Sequence, residues 1–278
     1  MTPFERLFER DGLPLFGLPA ALAATYAGDF GLSRPRLYAN FVSSADGVVA
    51  LPGDGDSGRI VSGDNEPDRF IMGLLRAAAD AVLIGAGTFR KGAGDCSPEA
   101  IYPAAGKLFA ELRKQLDLRP HPLLVVVTAS GNIDPAHQAL RECLVVTTPH
   151  GETRLRGALP SGARIVVLGA QRIDGRSLLD FLHAQGLQVV LTEGGPSLVG
   201  QLLEEGLLDE LFLTLSPRLF GRWSGDGRKS LVEGVDSGGR PLELLSVRRH
   251  ESHLYLRYSL REIGNFPVSA LKDNMVKT

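Results

Sequence analysis

A glycine-rich turn between an apolar strand and an apolar helix is the part of this sequence best suited to bind a ligand. The turn consists of Glu193, Gly194, Gly195 and Pro196, and a buried strand predicted at residues 187–191 leads into it. Two consecutive glycines allow a ligand to approach the backbone closely, and proline fits the first position of a helix because its missing N–H costs nothing there. The free amide groups at such a helix start bind anions, phosphate above all. The turn therefore predicts a phosphate site with a nucleotide as the first candidate, although many glycine turns serve geometry alone.

A second glycine turn, with Gly85, Gly87, Thr88 and Arg90, follows directly after another predicted strand. It resembles the opening of a dinucleotide-binding fingerprint, but Arg90 stands where the third glycine belongs, and no acidic residue ends a strand about twenty residues later. A hydroxyl and a guanidinium group at such a turn suit a phosphomonoester, for example the 2′-phosphate of NADP. The alternative is a tight turn whose arginine faces solvent.

Polar side chains also follow the first well-defined strand, which is predicted at residues 36–42. Ser44 and Asp46 come just after it. Ligands of open α/β sheets gather at the carboxyl ends of the strands, which makes both residues candidates for a binding site. An ordinary Asp-Gly turn explains them equally well.

Two arginines share one face of a predicted helix at residues 64–79. Arg69 and Arg76 are seven residues apart, a spacing that places them on the same side. They could meet an anionic substrate, or they could pair with Asp68 and Asp80. For Arg76 we favour the structural role.

Strands that alternate with helices predict a three-layer α/β domain with a mixed, mainly parallel sheet, closed by an antiparallel pair at the C-terminal end. Long loops are expected at residues 91–106 and 221–241. The predicted strands lie at residues 36–42, 80–85, 123–128, 144–147, 164–168, 187–192, 210–216, 242–249 and 252–260. The predicted helices lie at residues 64–79, 107–116 and 175–185, with one more after Pro196. We expect an N-terminal extension at residues 1–34, one domain at residues 35–262 and a tail at residues 263–278.

The charge, the apolar runs and the cysteines of the sequence argue against several kinds of binding partner. The 278 residues carry a net charge of −2, so there is no basic field of the kind that nucleic-acid binding needs. No apolar stretch approaches the roughly 20 residues that span a bilayer, and the N-terminus lacks the pattern of a signal peptide. Cys96 and Cys143 are far apart and form no metal-binding pair. We therefore expect a reduced, cytoplasmic protein that acts on a small molecule, without a metal.

Taken together, four segments resemble the reductase (C-terminal) domain of the bifunctional riboflavin-biosynthesis deaminase/reductases, over about residues 36–261. They are ANFVSSADG at 39–47, LRAAADAVLIGAGT at 75–88, LTEGGP at 191–196, and LDEL with SPRLFG at 208–221. The zinc motif of the deaminase half is missing. The chain therefore looks like a stand-alone reductase.

The resemblance implies a dihydrofolate-reductase-like fold, a homodimer, and the NADPH-dependent reduction of the ribosyl group of 5-amino-6-(5-phosphoribosylamino)uracil to the ribityl group. Residues implied to bind the cofactor are Gly85, Gly87, Thr88, Arg90, Glu193, Gly194, Gly195 and Pro196. Residues implied to face the nicotinamide and the substrate are Asn40, Ser44, Asp46 and Arg69. Among these, Asp46 is the candidate for orienting the substrate or supplying a proton through water.

One segment departs from the family pattern. After the Gly-x-Gly-Thr segment, the typical family member continues with an Ala-Asp-Asp-Pro-x-Leu-Thr-x-Arg run that helps to bind the sugar phosphate. Here residues 91–98 read KGAGDCSP. This difference leaves two alternatives open: an NADPH-dependent reductase of another small molecule, such as dihydrofolate or a pterin, and a nucleotide-binding protein without turnover.

Overall fold

A ten-stranded sheet runs through the part of the chain that the computed structural model describes, residues 1–53 and 55–261. Its strands are β1 (Glu5–Glu9), β2 (Arg36–Ser44), β3 (Ala81–Gly85), β4 (Leu123–Thr128), β5 (Leu144–Thr147), β6 (Arg164–Val167), β7 (Val189–Thr192), β8 (Glu210–Ser216), β9 (Glu243–His250) and β10 (His253–Ser259). In space the order is β1-β9-β10-β8-β2-β7-β3-β4-β5-β6. Neighbours from β8 to β6 are parallel, whereas β1, β9 and β10 form an antiparallel end against β8. The predicted mixed, mainly parallel sheet with an antiparallel C-terminal pair is confirmed.

Helices cover both faces of this sheet and give the three predicted layers. They are α1 (Ala20–Tyr26), α2 (Ser57–Ser62), α3 (Glu66–Ala78), α4 (Ala86–Arg90), α5 (Pro98–Ile101), α6 (Gly106–Gln115), α7 (Pro149–Leu155), α8 (Gly175–Ala184) and α9 (Pro196–Glu204). Buried residues of α1, α3 and α6 share one apolar core, and those of α8 and α9 share the other. The sheet therefore separates two cores.

The centre of the sheet consists of strands that are apolar throughout. Side chains of β3 and β7 are almost entirely buried, as expected for parallel strands that helices cover on both faces. Because β2, β7 and β3 are adjacent and parallel, their carboxyl ends lie along the same edge of the sheet. These ends are Ser44, Thr192 and Gly85. The turns that the sequence singles out therefore all emerge at one edge.

The N-terminal residues, expected as an extension over residues 1–34, take part in both the sheet and a core. β1 pairs with β9, which comes from the far end of the chain. Phe4 is only 4% exposed, and its ring packs against those of Tyr26, Phe70 and Tyr255. Short-range patterns do not reveal such pairing, because β1 is an edge strand whose side chains are mostly exposed. The predicted tail, residues 263–278, lies outside the described residues.

Several short helices lie where the sequence predicts none. α2 lies in the Gly/Asp/Ser-rich segment 52–63, α5 lies in the predicted loop 91–106, and α7 follows β5. Each has seven residues or fewer, which is too short for a clear helical repeat. Local signals start them: the Asp56 side chain caps α2, and Pro98 and Pro149 occupy the first turns of α5 and α7.

Candidate active site

The two glycine turns lie side by side at the ends of β3 and β7. A Cβ atom placed on Gly194 would lie 3.3 Å from the backbone nitrogen of Gly85, and one placed on Gly195 would lie 3.2 Å from Thr88 Oγ1. The same atom on Gly194 would come within 2.6 Å of Leu198 Cδ2, so a side chain at this position would have to displace Leu198. The structure brings the two predicted phosphate turns together in one surface.

The start of α9 gives this surface a positive character. Gly195 is the N-cap of the nine-residue helix and provides no side-chain hydrogen bond to the first turn, which Pro196 begins. The positive end of the helix dipole therefore lies next to Thr88. A Cβ atom on nearby Gly87 would meet nothing within 4 Å, so the surface is open there. A helix start of this kind, beside a hydroxyl group and an open space, suits a phosphate group.

The Glu193 side chain, predicted to help hold a pyrophosphate, is bound to Arg76 of α3. Its two carboxylate oxygens accept hydrogen bonds from Arg76 Nε (2.9 Å) and Nη2 (2.8 Å), and both side chains are less than a tenth exposed. The structural role that we favoured for Arg76 is therefore present, with Glu193 as the partner instead of Asp68 or Asp80. At this turn it is the main chain, not the Glu193 carboxylate, that is available to a ligand.

Arg90 lies at the outer end of the second turn, where it is exposed. Its Nη1 donates to the carbonyl oxygen of Asn132 (2.8 Å), and Nη2 of Arg154 donates to Asn132 Oδ1 (3.2 Å). Within residues 1–53 and 55–261, neither arginine forms an ion pair with a carboxylate. Two guanidinium groups thus meet at Asn132, an arrangement that suits a phosphomonoester.

The residues predicted for the substrate side lie around the end of β2. Asn40 lies in β2 and lines a small cavity under α3, together with Thr214 of β8. Ser44 is completely buried at the last position of β2. Arg69 of α3 is about one third exposed and donates to the carboxylate and the carbonyl oxygen of Asp64. Asn40 therefore lies beneath α3, Ser44 ends the same strand, and Arg69 lies on α3 itself.

The Asp46 carboxylate accepts hydrogen bonds from other residues of the chain. Oδ2 accepts from the amides of Phe220 (3.1 Å) and Gly221 (2.6 Å), and Oδ1 accepts from the Ser44 hydroxyl. The Ser44 hydrogen bond, followed by those of the two amides, holds the pKa of Asp46 below its ordinary value against the opposing effect of burial. Asp46 is therefore ionised at neutral pH, and it fixes the loop after β8 against the end of β2.

Asp68 is an acidic residue of this region that the sequence does not single out as a site residue. It lies on α3, is partly exposed, and has the Thr214 hydroxyl nearby. Burial raises the pKa of Asp68 to about 6, against the lowering effects of the Thr214 hydroxyl and of the Arg69 charge. A carboxyl group with such a pKa changes protonation near physiological pH, as a general acid must.

Helical spacing is the signal that could have identified Asp68. Ile71 and Leu75 follow at three and seven residues, and both are at least 95% buried. An acid in register with these apolar positions faces the sheet. Its place in the first turn of α3 hides this signal, because acids are common there for their interaction with the helix dipole.

The described residues contain neither a candidate metal site nor a candidate membrane span. No group of three or more His, Cys, Asp and Glu side chains there is arranged to hold a metal ion. None of the helices in this part of the chain is long and apolar enough to cross a membrane.

Most of the sequence matches a known protein family. The model of the RibD C-terminal domain family matches residues 35–255. A 2,5-diamino-6-ribosylamino-4(3H)-pyrimidinone 5′-phosphate reductase from Archaeoglobus fulgidus is 29% identical over 195 residues, which cover 68% of this chain and 83% of the relative. A protein of the same name from Methanothermobacter thermautotrophicus is 26% identical over 204 residues, which cover 72% and 85%.

Solved structures share the fold. A pyrimidine reductase-like protein from Corynebacterium diphtheriae superimposes with a TM-score of 0.64 at 23% identity, covering 87% of this chain and 95% of that one. A diaminohydroxyphosphoribosylaminopyrimidine deaminase/5-amino-6-(5-phosphoribosylamino)uracil reductase from Thermotoga maritima gives a TM-score of 0.58 at 20% identity, with 86% and 58% coverage.

Proposed function

Because this chain belongs to the RibD C-terminal domain family, we propose that it is an NADPH-dependent reductase of the riboflavin-pathway type, which converts the ribosyl group of a phosphorylated aminopyrimidine to the ribityl group. The observation that carries the proposal is the single surface formed by the two glycine turns, next to the polar end of β2. A nucleotide cofactor on that surface would lie one strand away from a substrate held between β2 and α3. The curated relatives, which are pyrimidinone phosphate reductases by name, support the same substrate class.

The residues present fit NADPH. The start of α9 and the Thr88 hydroxyl suit its pyrophosphate, and the guanidinium groups of Arg90 and Arg154 suit its 2′-phosphate. When bound, NADPH supplies the hydride. The chain contributes position and the exclusion of water, which hydride transfer needs more than a strong acid.

The substrate would lie between α3 and the carboxyl end of β2. Asn40 and Ser44 border that space, and Arg69 at its edge offers a positive charge to the sugar phosphate. In the reaction, a hydride adds to C1′ of the ribosyl group while the bond from C1′ to the ring oxygen breaks, and the ring oxygen takes a proton. We assign that proton to Asp68, whose pKa of about 6 suits the task.

Asp46 takes the orienting role in this proposal. Its low pKa makes it a poor source of protons, but its three hydrogen bonds fix the loop at Phe220 and Gly221 beside the substrate region.

The function is tested by following NADPH absorbance with three acceptors in parallel. They are the 2,5-diaminopyrimidinone and the 5-aminouracil forms of the ribosylamino phosphate, which differ at C2 of the pyrimidine, and dihydrofolate. Turnover of either pyrimidine supports the proposal and identifies the preferred form. Turnover of dihydrofolate alone would show that the substrate is a dihydrofolate-like molecule and not the pyrimidine. Tight NADPH binding without any turnover would favour the non-catalytic alternative.

Arg90→Ala is expected to weaken NADPH binding by about 10- to 100-fold, the usual contribution of hydrogen bonds to a charged group, and to leave NADH binding nearly unchanged. Only NADPH carries the 2′-phosphate that Arg90 would contact. Dissociation constants for both cofactors, measured by calorimetry, check this. Arg172→Ala is the matched control, because Arg172 is exposed and pairs with Glu205 elsewhere. Equal losses for NADPH and NADH would contradict the assignment.

Asp46→Asn is expected to lower kcat by about 10- to 100-fold with little change in NADPH affinity, because the hydrogen bonds that hold the loop lose the negative charge that strengthens them. Steady-state kinetics and calorimetry on the same preparation separate the two effects. Asp236→Asn serves as the control, since Asp236 also accepts a backbone amide hydrogen bond (Gly238, 2.8 Å) but is exposed in the long loop between β8 and β9. An unaltered kcat in Asp46→Asn would remove its role.

We also propose that the protein forms a homodimer through the sheet face opposite α3. Apolar side chains on that face are only partly buried within one chain; they are Phe41, Leu213, Leu215, Leu256 and Tyr258. A second copy would cover them. Light scattering after size exclusion is expected to give twice the chain mass for the wild type and for Leu15→Glu, whose site is 66% exposed elsewhere. Leu213→Glu is expected to give the single-chain mass, and a monomeric wild type would disprove the dimer.

A further inference from the structure

Arg76 joins two segments that are far apart in the sequence. On one side it holds the Glu193 carboxylate through two hydrogen bonds, immediately before the Gly194–Gly195 turn. On the other side, Nη1 donates to the carbonyl oxygens of Asp95 (3.0 Å) and Ser97 (3.5 Å). A single guanidinium group therefore contacts both the cofactor turn and the loop in which this chain departs from its family.

The loop that Arg76 holds is itself compact. The Asp95 carboxylate accepts hydrogen bonds from the Ser97 amide (2.9 Å) and hydroxyl (2.6 Å). Between them, Cys96 donates to the carbonyl oxygen of Pro122 (3.4 Å). Burial raises the pKa of the Cys96 thiol to about 11, so the thiol is neutral and the direct ion-pair partner of Arg76 is Glu193.

The backbone that carries the Arg76 side chain is also held in place. Nη1 of Arg113, a buried residue of α6, donates to the carbonyl oxygens of Arg76 (3.0 Å), Ala77 (3.2 Å) and Ala79 (2.8 Å) at the end of α3. The last turn of α3 therefore cannot shift freely to follow one partner of Arg76 and release the other. If Glu193 moves, the Arg76 guanidinium group moves with it and displaces the loop at residues 95–97 to which it is also hydrogen-bonded.

We propose that Arg76 is a positioning residue that couples the loop at residues 91–97 to the Gly194–Gly195 turn, so that ordering of the turn by the cofactor also orders the loop. The coupling between the turn and the loop exists in the ligand-free chain. Its response to cofactor binding rests on the proposed function. The planar fork of arginine suits this task because it binds a carboxylate with two nitrogens and still has a third for carbonyl oxygens.

Hydrogen–deuterium exchange of the full chain, with and without NADP⁺, tests the coupling. The variant is Arg76→Met/Glu193→Gln, which removes both charges and leaves no unpaired buried ion. Without ligand, exchange in residues 91–97 is expected to accelerate by about tenfold or more in this variant. In the wild type, NADP⁺ is expected to slow exchange in both residues 193–198 and 91–97, whereas in the variant it slows exchange only in residues 193–198.

A control separates this effect from the loss of any buried ion pair. Arg248→Met/Glu9→Gln removes another pair with a buried arginine, between β9 and β1, and is expected to leave exchange in residues 91–97 unchanged. Unchanged ligand-free exchange of residues 91–97 in Arg76→Met/Glu193→Gln, or retained protection of these residues by NADP⁺, overturns the coupling. Failure of NADP⁺ to protect either segment of the wild type would instead count against the proposed function, while the ligand-free comparison still decides the coupling.

Discussion

Replacement of Asp68 by asparagine is expected to lower kcat by about 10²- to 10⁴-fold, the usual effect of removing a positioned general acid, while NADPH affinity stays the same. The amide keeps the size of the side chain, but it cannot give up a proton to the ring oxygen of the ribosyl group. Single-turnover kinetics, together with calorimetric titration of NADPH, measure the two quantities separately.

The pH dependence gives a second signature of the same residue. Asp68 must be protonated to act as an acid, so the wild-type kcat is expected to fall as pH rises through about 6. The residual rate of Asp68→Asn is expected to be flat over that range. A carboxyl group whose pKa is higher in the folded than in the unfolded state binds its proton more tightly when folded, so stability falls as pH rises from 3.8 to about 6 and stays lower above that range. The variant should therefore be at least as stable as the wild type at neutral pH, which distinguishes lost chemistry from misfolding.

Glu66→Gln is the matched control on the same helix. Glu66 is exposed and accepts a hydrogen bond from the Tyr102 hydroxyl (2.9 Å), away from Thr214. Its kcat and pH profile are expected to match the wild type. A kcat in Asp68→Asn that is close to the wild-type value, or one that keeps the same fall near pH 6, would show that the proton comes from another group.

The single substitution Arg76→Met is expected to lower the free energy of unfolding by about 3–5 kcal/mol, because it leaves the Glu193 carboxylate buried without its cation. The double variant Arg76→Met/Glu193→Gln is expected to regain most of that loss, since no buried charge then remains. Urea denaturation followed by circular dichroism gives both values from the midpoints and slopes.

An exposed pair provides the comparison for this effect. Arg156 and Glu152 are four residues apart at the end of α7, and Arg156 is 75% exposed. Arg156→Met is expected to change stability by less than about 1 kcal/mol, as is usual for pairs in solvent. If Arg76→Met were equally mild, the buried pair could not be the rigid link between turn and loop.

The sheet could be predicted from the sequence because its central strands are short apolar runs bounded by glycine and polar residues. β4 and β8 begin and end at the predicted residues, and α8 differs by one residue. β1 could not be predicted, because its side chains are mostly exposed and its partner strand lies near the other end of the chain. Local patterns report burial along one element, whereas the position of an edge strand depends on what it pairs with.

In the candidate site, too, local features could be predicted and contacts between distant segments could not. Each glycine turn could be identified separately, from glycine, proline and hydroxyl residues at a strand end. Their contact depends on β3 and β7 being neighbours, which no spacing in the sequence expresses. The partner of Arg76 and the orientation of Asp68 toward Thr214 also arise only when α3 packs on the sheet. Glu193 was therefore predicted to face a ligand, although its side chain is bound to Arg76.

The pairing of β1 with β9 has a consequence for how the chain folds. Glu5 and Arg249 are 244 residues apart, yet they lie opposite each other in the sheet. Closing so long a segment is entropically slow, and folds dominated by such contacts fold slowly. During synthesis β1 stays unpaired until β9 (Glu243–His250) has left the ribosome. The completed sheet is therefore a late event, and until then the edge of β1 is open to pairing with other chains.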